Sequence, residues 1–487
     1  MTVSLENILK NVAIEKISGS AAITINKIEF DSRKIVANDI FIAIKGTISD
    51  GHQFIEKAIS LGATIIVCEV LPMILLENIC YIKVADPNKA LAQMAANFYN
   101  NPSERLKLVG VTGTNGKTTV ASLLYQLFKK AGFKVGLLST VKIMVDETEY
   151  KATHTTPDSI MINHYLNEMV HAGVNYCFME VSSHGIHQKR TDGLTFAGGI
   201  FTNLSHDHLD YHATFAEYRD VKKQFFDNLP KTAFAITNID DKNGAVMLQN
   251  TVARKRTYAL KSYADYKVQI LESGLNGLLL KIDNNEVWVR LIGVFNAYNL
   301  LAIYATAVEL GLEKLVVLQY LSTLESVSGR FQYIISDDKI TAIVDYAHTP
   351  DALENVLKTI DDIRTKNEEL ITVVGCGGDR DKTKRPVMAN IATNFSNKVI
   401  LTSDNPRTEN AEAILDDMEA GVEPQNYKKM LRITDRKQAI KTAVSLAKTG
   451  DIILIAGKGH ENYQIIGKEV FEFDDMEVVK SFLIRNY

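Results

Sequence analysis

The chain has 487 residues, of which 46% are hydrophobic and 23% charged, and its net charge is −4. This composition is typical of a globular protein with about three domains, and it indicates neither a nucleic-acid partner nor a membrane-embedded protein. The four cysteines are scattered, without metal-binding spacing or disulfide density. Together with an N-terminus that lacks the basic-then-apolar pattern of a signal peptide, they predict a cytoplasmic protein.

The first hundred residues predict a small α/β unit. Apolar strands are expected at 40–44 and 64–68. Asp86 and Pro87 predict the start of a helix that continues over about 88–99, because an aspartate caps a helix well and proline fits its first turn. The segment 101–103 is expected to be the linker to a second domain.

Two polar loops of this unit are candidates for ligand binding. They lie at 30–33 and 49–54. Small hydroxyl groups and backbone amides in such loops suit a nucleotide-sugar diphosphate, and both loops fit plain turns equally well.

A glycine-rich loop at 113–117 separates an apolar strand at 106–111 from a helix expected over 118–131. Glycines let backbone N–H groups close around phosphate oxygens, the helix N-terminus faces the anion, and Lys117 adds a positive charge. Thr118 is placed to bind Mg²⁺. The spacing is shorter than in the strict P-loop, and an ordinary strand-to-helix turn is the alternative.

Strands and helices alternate from 106 to about 324, which predicts a parallel sheet covered by helices. An apolar strand at 176–180 ends in Glu180. A carboxylate at the end of a buried strand near a P-loop is a candidate Mg²⁺ ligand. A buried glutamate with ordinary hydrogen-bond partners is the alternative.

Three histidines and two aspartates lie within the segment 206–212. Imidazole suits zinc, so this segment could form a zinc site. The absence of a nearby cysteine and the neighbouring P-loop favour Mg²⁺ with one histidine as a ligand.

Two helical segments of this region carry polar residues. The segment 215–226 predicts an amphipathic helix on which Lys222 and Lys223 read as solvated surface charges. Asn296 and Asn299 open a later helix, where their amides could bond the edge of a base or cap the helix.

A third α/β unit begins at about 330. Strands at 343–345, 371–374, 400–401 and 452–456 all run into loops that contain Gly, Asp, Arg or Lys. Ligands of doubly wound sheets bind at the carboxyl ends of the strands, so this edge predicts a binding site.

The chain resembles the Mur ligases of peptidoglycan synthesis over essentially its whole length. The motifs that carry the resemblance, specific in combination, lie at 113–119, 155–157, 180–184, Asn203 with 207–212, 329–331, 345–350 and 457–461.

The resemblance implies an α/β protein of three domains: a UDP-sugar-binding domain at 1–103, a central P-loop ATPase domain with a parallel sheet at 104–329, and a C-terminal Rossmann-like amino-acid-binding domain at 330–487. It implies that ATP, with Mg²⁺, phosphorylates the D-glutamate carboxylate of UDP-MurNAc-L-Ala-D-Glu, and that an incoming amine then displaces the phosphate. A monomer acting on small molecules is expected.

The resemblance also assigns roles to individual residues. Lys117, Glu180, His208 and Lys222 are expected to be catalytic. Thr118, Glu180, His208 and Lys222 are the expected Mg²⁺ ligands, with Lys222 converted to a carbamate, an assignment that the family pattern alone supplies. The expected ATP contacts are Gly113, Thr114, Asn115, Gly116, Lys117, Thr118, Thr119, Asn296, Asn299, Arg330 and Asp345. The expected contacts to the UDP-MurNAc-dipeptide are Ser32, Thr47, His52, Thr155, Thr156, Ser182, Gln188 and Arg190.

The segment 404–407, Asp-Asn-Pro-Arg, matches family members that add meso-diaminopimelate. Diaminopimelate differs from lysine by one carboxylate, which Arg407 can bind with paired hydrogen bonds. Lysine would leave that guanidinium unpaired. A structural salt bridge is the alternative role of Arg407. The expected diaminopimelate contacts are Arg380, Asp404, Asn405, Pro406, Arg407, Gly457 and Glu461.

Two positions depart from the family pattern. Ala411 stands where a proline is usual, which is expected to loosen the loop that holds Arg407, and His206 stands where an arginine is common. His206 lies beside the expected metal ligand His208 and so alters the local charge.

Three other functions fit parts of the sequence. A related amide ligase could add lysine or glutamate instead of diaminopimelate. A P-loop switch protein would hydrolyse nucleotide without any acceptor amine. A zinc hydrolase built on 206–212 would act without ATP.

Overall fold

The computed structural model describes residues 3–19, 24–46, 49–205, 211–212 and 214–483. Its strands form a separate sheet in each of the three regions expected from the sequence. The domain boundaries at 103 and 329 remain a prediction.

The N-terminal region is built on a five-stranded sheet of order β2-β7-β6-β5-β4, in which β2 is antiparallel to the rest. Apolar side chains fill its core, and Asp86 caps α3 as expected. The elements are β1 (Val3–Ser4), α1 (Leu5–Ile8), β2 (Ile14–Ser18), β3 (Thr24–Ile25), β4 (Ile28–Glu29), β5 (Ile40–Ile42), α2 (Ile55–Ser60), β6 (Ile65–Cys68), β7 (Cys80–Val84) and α3 (Pro87–Phe98).

The central region contains an eleven-stranded sheet. Its elements are β8 (Lys107–Thr112), α4 (Lys117–Lys130), β9 (Val135–Leu138), β10 (Lys142–Val145), β11 (Thr148–Lys151), α5 (Ser159–His171), β12 (Tyr176–Glu180), α6 (Ser183–His187), β13 (Gly198–Phe201), α7 (Phe215–Asp227), β14 (Phe234–Asn238), α8 (Gly244–Met247), β15 (Arg254–Ala259), β16 (Tyr266–Gly274), β17 (Gly277–Ile282), β18 (Asn285–Val289), α9 (Val294–Glu309) and α10 (Lys314–Leu321).

The strand order of this sheet explains where ligands can bind. The parallel run β9-β12-β8-β13-β14-β15-β16 has β8 and β12 as neighbours, so the P-loop after β8 and Glu180 at the end of β12 meet at one edge. The expected strand–helix alternation does not hold throughout, because β16, β17 and β18 form an antiparallel meander without helices.

The C-terminal region has a six-stranded sheet of order β19-β20-β24-β21-β22-β23, parallel except for β19. Its elements are β19 (Gln332–Ile335), β20 (Thr341–Asp345), α11 (Pro350–Ile363), β21 (Leu370–Val374), α12 (Lys384–Phe395), β22 (Lys398–Leu401), α13 (Ala411–Glu419), β23 (Met430–Arg432), α14 (Arg436–Leu446), β24 (Ile452–Ala456), β25 (Tyr463–Ile466), β26 (Glu469–Glu472) and α15 (Asp475–Leu483). β25 and β26 form a separate hairpin.

The four strand ends singled out in the C-terminal sequence therefore belong to neighbouring parallel strands of one sheet, β20, β24, β21 and β22. Their carboxyl ends meet at the same edge. The Rossmann-like architecture expected for this region is confirmed.

Candidate active site

The loop between β8 and α4 requires glycine at two positions. Gly113 has a φ of +148° and Gly116 a φ of +87°. A Cβ on Gly113 would clash with Thr202 Oγ1, and one on Gly116 would lie 2.6 Å from Asn299 Oδ1. Since only glycine accepts both the backbone angles and the close approach, the loop is held in a conformation suited to phosphate binding.

We expect Gly113→Ala to lower ATP affinity about 100-fold, because the added methyl group displaces the loop from Thr202 and the nearby Asn203 backbone. Titration with a fluorescent ATP analogue measures the effect. Gly132→Ala is the matched control, since Gly132 also has a positive φ, +86°, but has open space around its Cβ. Equal losses in the two variants would contradict a specific role of the loop.

Lys117 begins α4, and its side chain turns back over the loop. Its Nζ donates to the carbonyl oxygens of Gly113 at 3.0 Å and Thr114 at 2.8 Å. The lysine charge therefore lies at the N-terminus of the helix, where both the helix dipole and the backbone N–H groups favour an anion.

Thr118 and Glu180 are in direct contact, although 62 residues separate them in the chain. Thr118 Oγ1 donates to Glu180 Oε2 at 3.0 Å. The buried Glu180 carboxylate also accepts from the backbone N–H of Thr140 at 2.7 Å and from Thr140 Oγ1 at 3.2 Å. A carboxylate and a hydroxyl beside a phosphate-binding loop are the oxygen donors that Mg²⁺ prefers, so these residues fit the metal.

The segment 206–210 lies outside the described residues, and with it His208 and the departure at His206. Within the described residues, no group of three or more His, Cys, Asp or Glu side chains could hold a metal ion.

Lys222 and Lys223 are not the solvated charges that the amphipathic pattern predicted. Lys222 is 1% exposed, and its Nζ donates to the Gly113 carbonyl at 3.0 Å and lies 4.7 Å from the centroid of the Tyr218 ring. Lys223 is 9% exposed and pairs with Asp227 at 2.7 Å. The prediction failed for Lys222 because its side chain lies against the P-loop, and for Lys223 because it packs against its own helix beside Asp227, whereas Asp220 and Gln224 of α7 are exposed.

The C-terminal region contacts the P-loop directly. Arg330 Nη2 donates to Thr118 Oγ1 at 3.1 Å, and the guanidinium lies 4.6 Å from the centroid of the Tyr346 ring. Asp351 Oδ2 accepts from Asn115 Nδ2 at 3.0 Å and from Ser205 Oγ at 2.8 Å. Residues of the central and C-terminal regions therefore meet at the P-loop.

A cleft of about 560 Å³ lies between these elements. Burial raises the pKa of Asp345 at its edge to about 6, and the carboxylate accepts from the backbone N–H of Phe331 at 2.6 Å. Asn299 Nδ2 donates to Asn296 Oδ1 at 3.1 Å, so the two amides orient each other. Ten of the residues expected to bind ATP line the cleft: Thr114, Asn115, Gly116, Lys117, Thr118, Thr119, Asn296, Asn299, Arg330 and Asp345.

Most residues expected to bind the dipeptide end of the substrate form one network next to Glu180. Thr156 Oγ1 donates to the Glu180 carbonyl at 2.8 Å and accepts from the Ser182 N–H at 2.9 Å. Arg190 donates to the Thr156 carbonyl at 2.6 Å and to Gln188 Oε1 at 2.6 Å.

Thr155 joins this network to the cleft. Its Oγ1 lies 3.1 Å from Thr140 Oγ1, and the Thr140 N–H donates to Glu180 Oε1 at 2.7 Å. Thr140 thus links the Glu180 carboxylate to Thr155, one of the expected dipeptide contacts.

The expected UDP-sugar contacts lie in the N-terminal region. Ser32 is buried at the start of a 3₁₀ turn. His52 Nδ1 lies 2.7 Å from Asp50, and its Nε2 accepts from the backbone N–H groups of Glu69 and Val70 at 3.2 and 3.4 Å. His52 therefore bonds Asp50 of its own loop through Nδ1 and connects that loop to residues 69–70 through Nε2. Thr47 lies outside the described residues.

A second polar cluster occupies the carboxyl edge of the C-terminal sheet. Lys458 is fully buried, and its Nζ donates to Asn405 Oδ1 at 3.0 Å and pairs with Glu461 Oε2 at 3.2 Å. Asn405 Nδ2 also donates to Glu461 Oε2, at 2.8 Å. Burial, and then the nearby Asp404 carboxylate, raise the pKa of Glu461. Lys458 therefore pairs with Glu461, and the Asp404 carboxylate lies close enough to act on the same group.

Arg407 forms no salt bridge with any of the described residues. Its Nη1 donates to the Gly378 carbonyl at 2.8 Å, and no carboxylate lies within ion-pair distance. Among the same residues, Nε and Nη2 have no hydrogen-bond partner, so one edge of the guanidinium can bind a carboxylate.

The remaining expected contacts of this edge lie around the same loops. A Cβ on Gly457 would lie 2.7 Å from Asp404 Oδ2, and one on Gly377 would lie 2.9 Å from Arg407 Nη1 and 3.9 Å from Arg380 Cγ. Arg380 itself is exposed. The backbone carbonyl of Pro406 packs against Gly378.

The departure at Ala411 does not disrupt the loop that holds Arg407. Ala411 is the first residue of α13, and Asn410 caps the helix by accepting from the Glu412 N–H at 2.8 Å. Proline and alanine both suit this position, so the cap keeps the helix start in place.

Three family profiles match the chain: the Mur ligase middle domain over residues 111–307, the Mur ligase glutamate ligase domain over 329–459, and the Mur ligase family catalytic domain over 24–99. A protein of Cytophaga hutchinsonii is 54% identical over 480 residues, covering 98% of this chain and 99% of its own. The chain belongs to the Mur ligase family.

That relative and one from Phocaeicola vulgatus, 54% identical over 476 residues and 98% of both chains, are named UDP-N-acetylmuramoyl-L-alanyl-D-glutamate–2,6-diaminopimelate ligase. A solved structure of the same name is 33% identical, with a TM-score of 0.71 and 99% coverage of both chains. A MurF ligase of Thermotoga maritima in complex with ADP shares the fold at 19% identity and a TM-score of 0.62.

The structure of this Mur ligase adds site residues that the sequence did not single out. Thr140, Asp351 and Lys458 contact expected site residues but were given no role. Asp351 directly follows the motif at 345–350, and Lys458 lies within the motif at 457–461. These two motifs could therefore have pointed to both residues. Thr140 lies outside every motif, two residues after the end of β9. In the described part of the chain, no helix is both long enough and apolar enough to cross a membrane.

Proposed function

We propose that this chain is an ATP-dependent ligase that joins meso-diaminopimelate to UDP-MurNAc-L-Ala-D-Glu in the cytoplasm. The observation that carries the proposal is the acceptor edge of the C-terminal sheet, where Arg407 keeps donors without a partner among the described residues, in the same loop as Asp404 and Asn405, which bonds Glu461. The names of relatives with 52–54% identity support the same reaction. The product would serve peptidoglycan synthesis, and through it cell shape and division.

The reaction would begin at the P-loop. The γ-phosphate of ATP passes to the D-glutamate carboxylate of the UDP substrate, which gives an acyl phosphate and ADP. Lys117 and the N-terminus of α4 stabilise the phosphate charge, and the Thr156, Ser182 and Arg190 network orients the dipeptide.

The amine of diaminopimelate then attacks the acyl carbon, the new amide bond forms and inorganic phosphate leaves. Contacts of Arg330 and Asp351 with the P-loop keep the two domains closed over the intermediate, which would otherwise hydrolyse. We propose Thr118, Glu180, His208 and a carbamylated Lys222 as Mg²⁺ ligands. The metal would neutralise charge on the phosphates and the substrate carboxylate.

Phosphate release from ATP in the presence of UDP-MurNAc-L-Ala-D-Glu tests the proposal. We expect release with meso-diaminopimelate at least about 100 times faster than with L-lysine or without an amine, because a site that binds a polar group rejects a ligand lacking it. Equally fast phosphate release with L-lysine would contradict diaminopimelate as the specific amine substrate. Release indifferent to any amine would indicate a switch protein instead.

A further inference from the structure

The loop that carries Asp404, Asn405 and Arg407 is held by the hairpin β25–β26. Gln464 Nε2 donates to the Asp404 carbonyl at 2.7 Å, and the Ile465 N–H donates to Asn405 Oδ1 at 2.9 Å. Two backbone hydrogen bonds complete the attachment: Arg407 N–H to the Ile465 carbonyl at 3.1 Å, and Gly467 N–H to the Arg407 carbonyl at 2.7 Å.

These bonds hold Arg407 in an unusual backbone conformation. Its φ is +52°, in the left-handed region that residues other than glycine rarely adopt. Such a conformation persists only where the surroundings impose it. Here the hairpin bonds both the N–H and the carbonyl of Arg407, so the hairpin decides the direction in which the arginine side chain leaves the backbone.

The hairpin also orients Asn405. Its Oδ1 accepts from the Ile465 N–H as well as from Lys458 Nζ, which leaves Nδ2 directed at Glu461. The Asn405 amide therefore cannot turn over without losing three hydrogen bonds.

Stability of the sheet does not explain this arrangement. β25 and β26 are not part of the six-stranded sheet, and no residue of either strand is buried. The outer strand exposes Val470 and Phe471, at 67% and 46% of their surface. The hairpin thus contributes little apolar core, while its inner strand makes directed polar contacts with the loop.

We infer that the β25–β26 hairpin is a specificity element, in which Gln464 acts as a positioning residue that sets Arg407 and Asn405 against the carboxylate and amine of the incoming amino acid. The inference rests on the proposed ligase function. Of the four bonds, only the one from Gln464 is made by a side chain of the hairpin, so Gln464 can be changed without altering the backbone pairing.

Gln464→Met tests the inference, because methionine keeps the size of the side chain and removes its donor. We expect KM for diaminopimelate to rise about tenfold, since a small displacement of a positioning group is costly, while KM for ATP and for the UDP substrate stays within about twofold. The preference for diaminopimelate over lysine should fall by about the same factor. Gln464→Glu, which places an acceptor against the Asp404 carbonyl, should have a larger effect of the same kind.

Val470→Thr is the control, because this residue lies on the outer strand and its side chain faces solvent. It should leave every KM unchanged. An unaltered KM for diaminopimelate in both Gln464 variants, or a parallel rise for all substrates, would overturn the positioning role. If the unaltered enzyme released no phosphate with diaminopimelate, the proposed function would fail first, and the inference with it.

Discussion

Arg407→Ala should raise KM for diaminopimelate about 100-fold, the factor expected when one partner of a desolvated, charge-assisted contact is removed. KM for ATP should stay within about twofold, because Arg407 bonds the Gly378 carbonyl and is not among the residues that line the P-loop cleft. Steady-state kinetics with each substrate varied in turn measures both values.

Two further variants separate charge from geometry. Arg407→Lys keeps the charge but loses the planar pair of donors, so an intermediate loss of about tenfold is expected. Arg432→Ala is the control: Arg432 is an arginine of the same domain whose partners, Glu412, Asp416 and Glu419, are all on the protein surface. Removing the Arg432 side chain should lower the free energy of unfolding by at most about 1 kcal/mol and leave KM for diaminopimelate unchanged.

The preference for diaminopimelate over lysine should shrink in Arg407→Ala, because lysine never used the missing contact. A variant that lost affinity for ATP and diaminopimelate equally would show that Arg407 supports the fold of the domain. A variant with unchanged affinity for diaminopimelate would remove Arg407 from the acceptor site.

The parts of the site that the sequence predicted are those whose residues lie close together in the chain. The P-loop is such a case, since glycines, a lysine and a threonine between an apolar strand and a helix already define its chemistry. The contact of Thr118 with Glu180 followed from a rule about strand ends, which brings distant residues to one edge of a parallel sheet.

The parts that the sequence did not predict depend on which surfaces meet. An amphipathic helix has the same pattern whether its polar face meets water or another loop, so α7 gave no sign that Lys222 is buried. Asp351 reads locally as an acidic residue in the first turn of α11, and only packing brings it to Asn115. The antiparallel β16–β18 meander likewise depends on strand pairing that helix–strand alternation does not reveal.

Lys222→Ala should lower the ligation rate about 100- to 1000-fold, the range expected for loss of one electrostatic stabiliser in an active site. The buried Nζ bonds the Gly113 carbonyl at the P-loop. A carbamate forms when the neutral amine adds CO₂ and releases a proton, and its nitrogen keeps one hydrogen. The bond to Gly113 is therefore compatible with the modified side chain, which would carry a negative charge beside the phosphate site.

Rescue distinguishes a lost anion from a lost structural contact. A short carboxylic acid added to Lys222→Ala should restore part of the rate, because it supplies a carboxylate where the variant leaves space. Lys223→Ala is the matched control: this lysine lies next along the same helix but pairs with Asp227, so its removal should change the rate by less than about twofold. Full activity of Lys222→Ala would exclude the carbamate from the mechanism, whereas a low rate that no acid restores would assign Lys222 to holding the Gly113 loop.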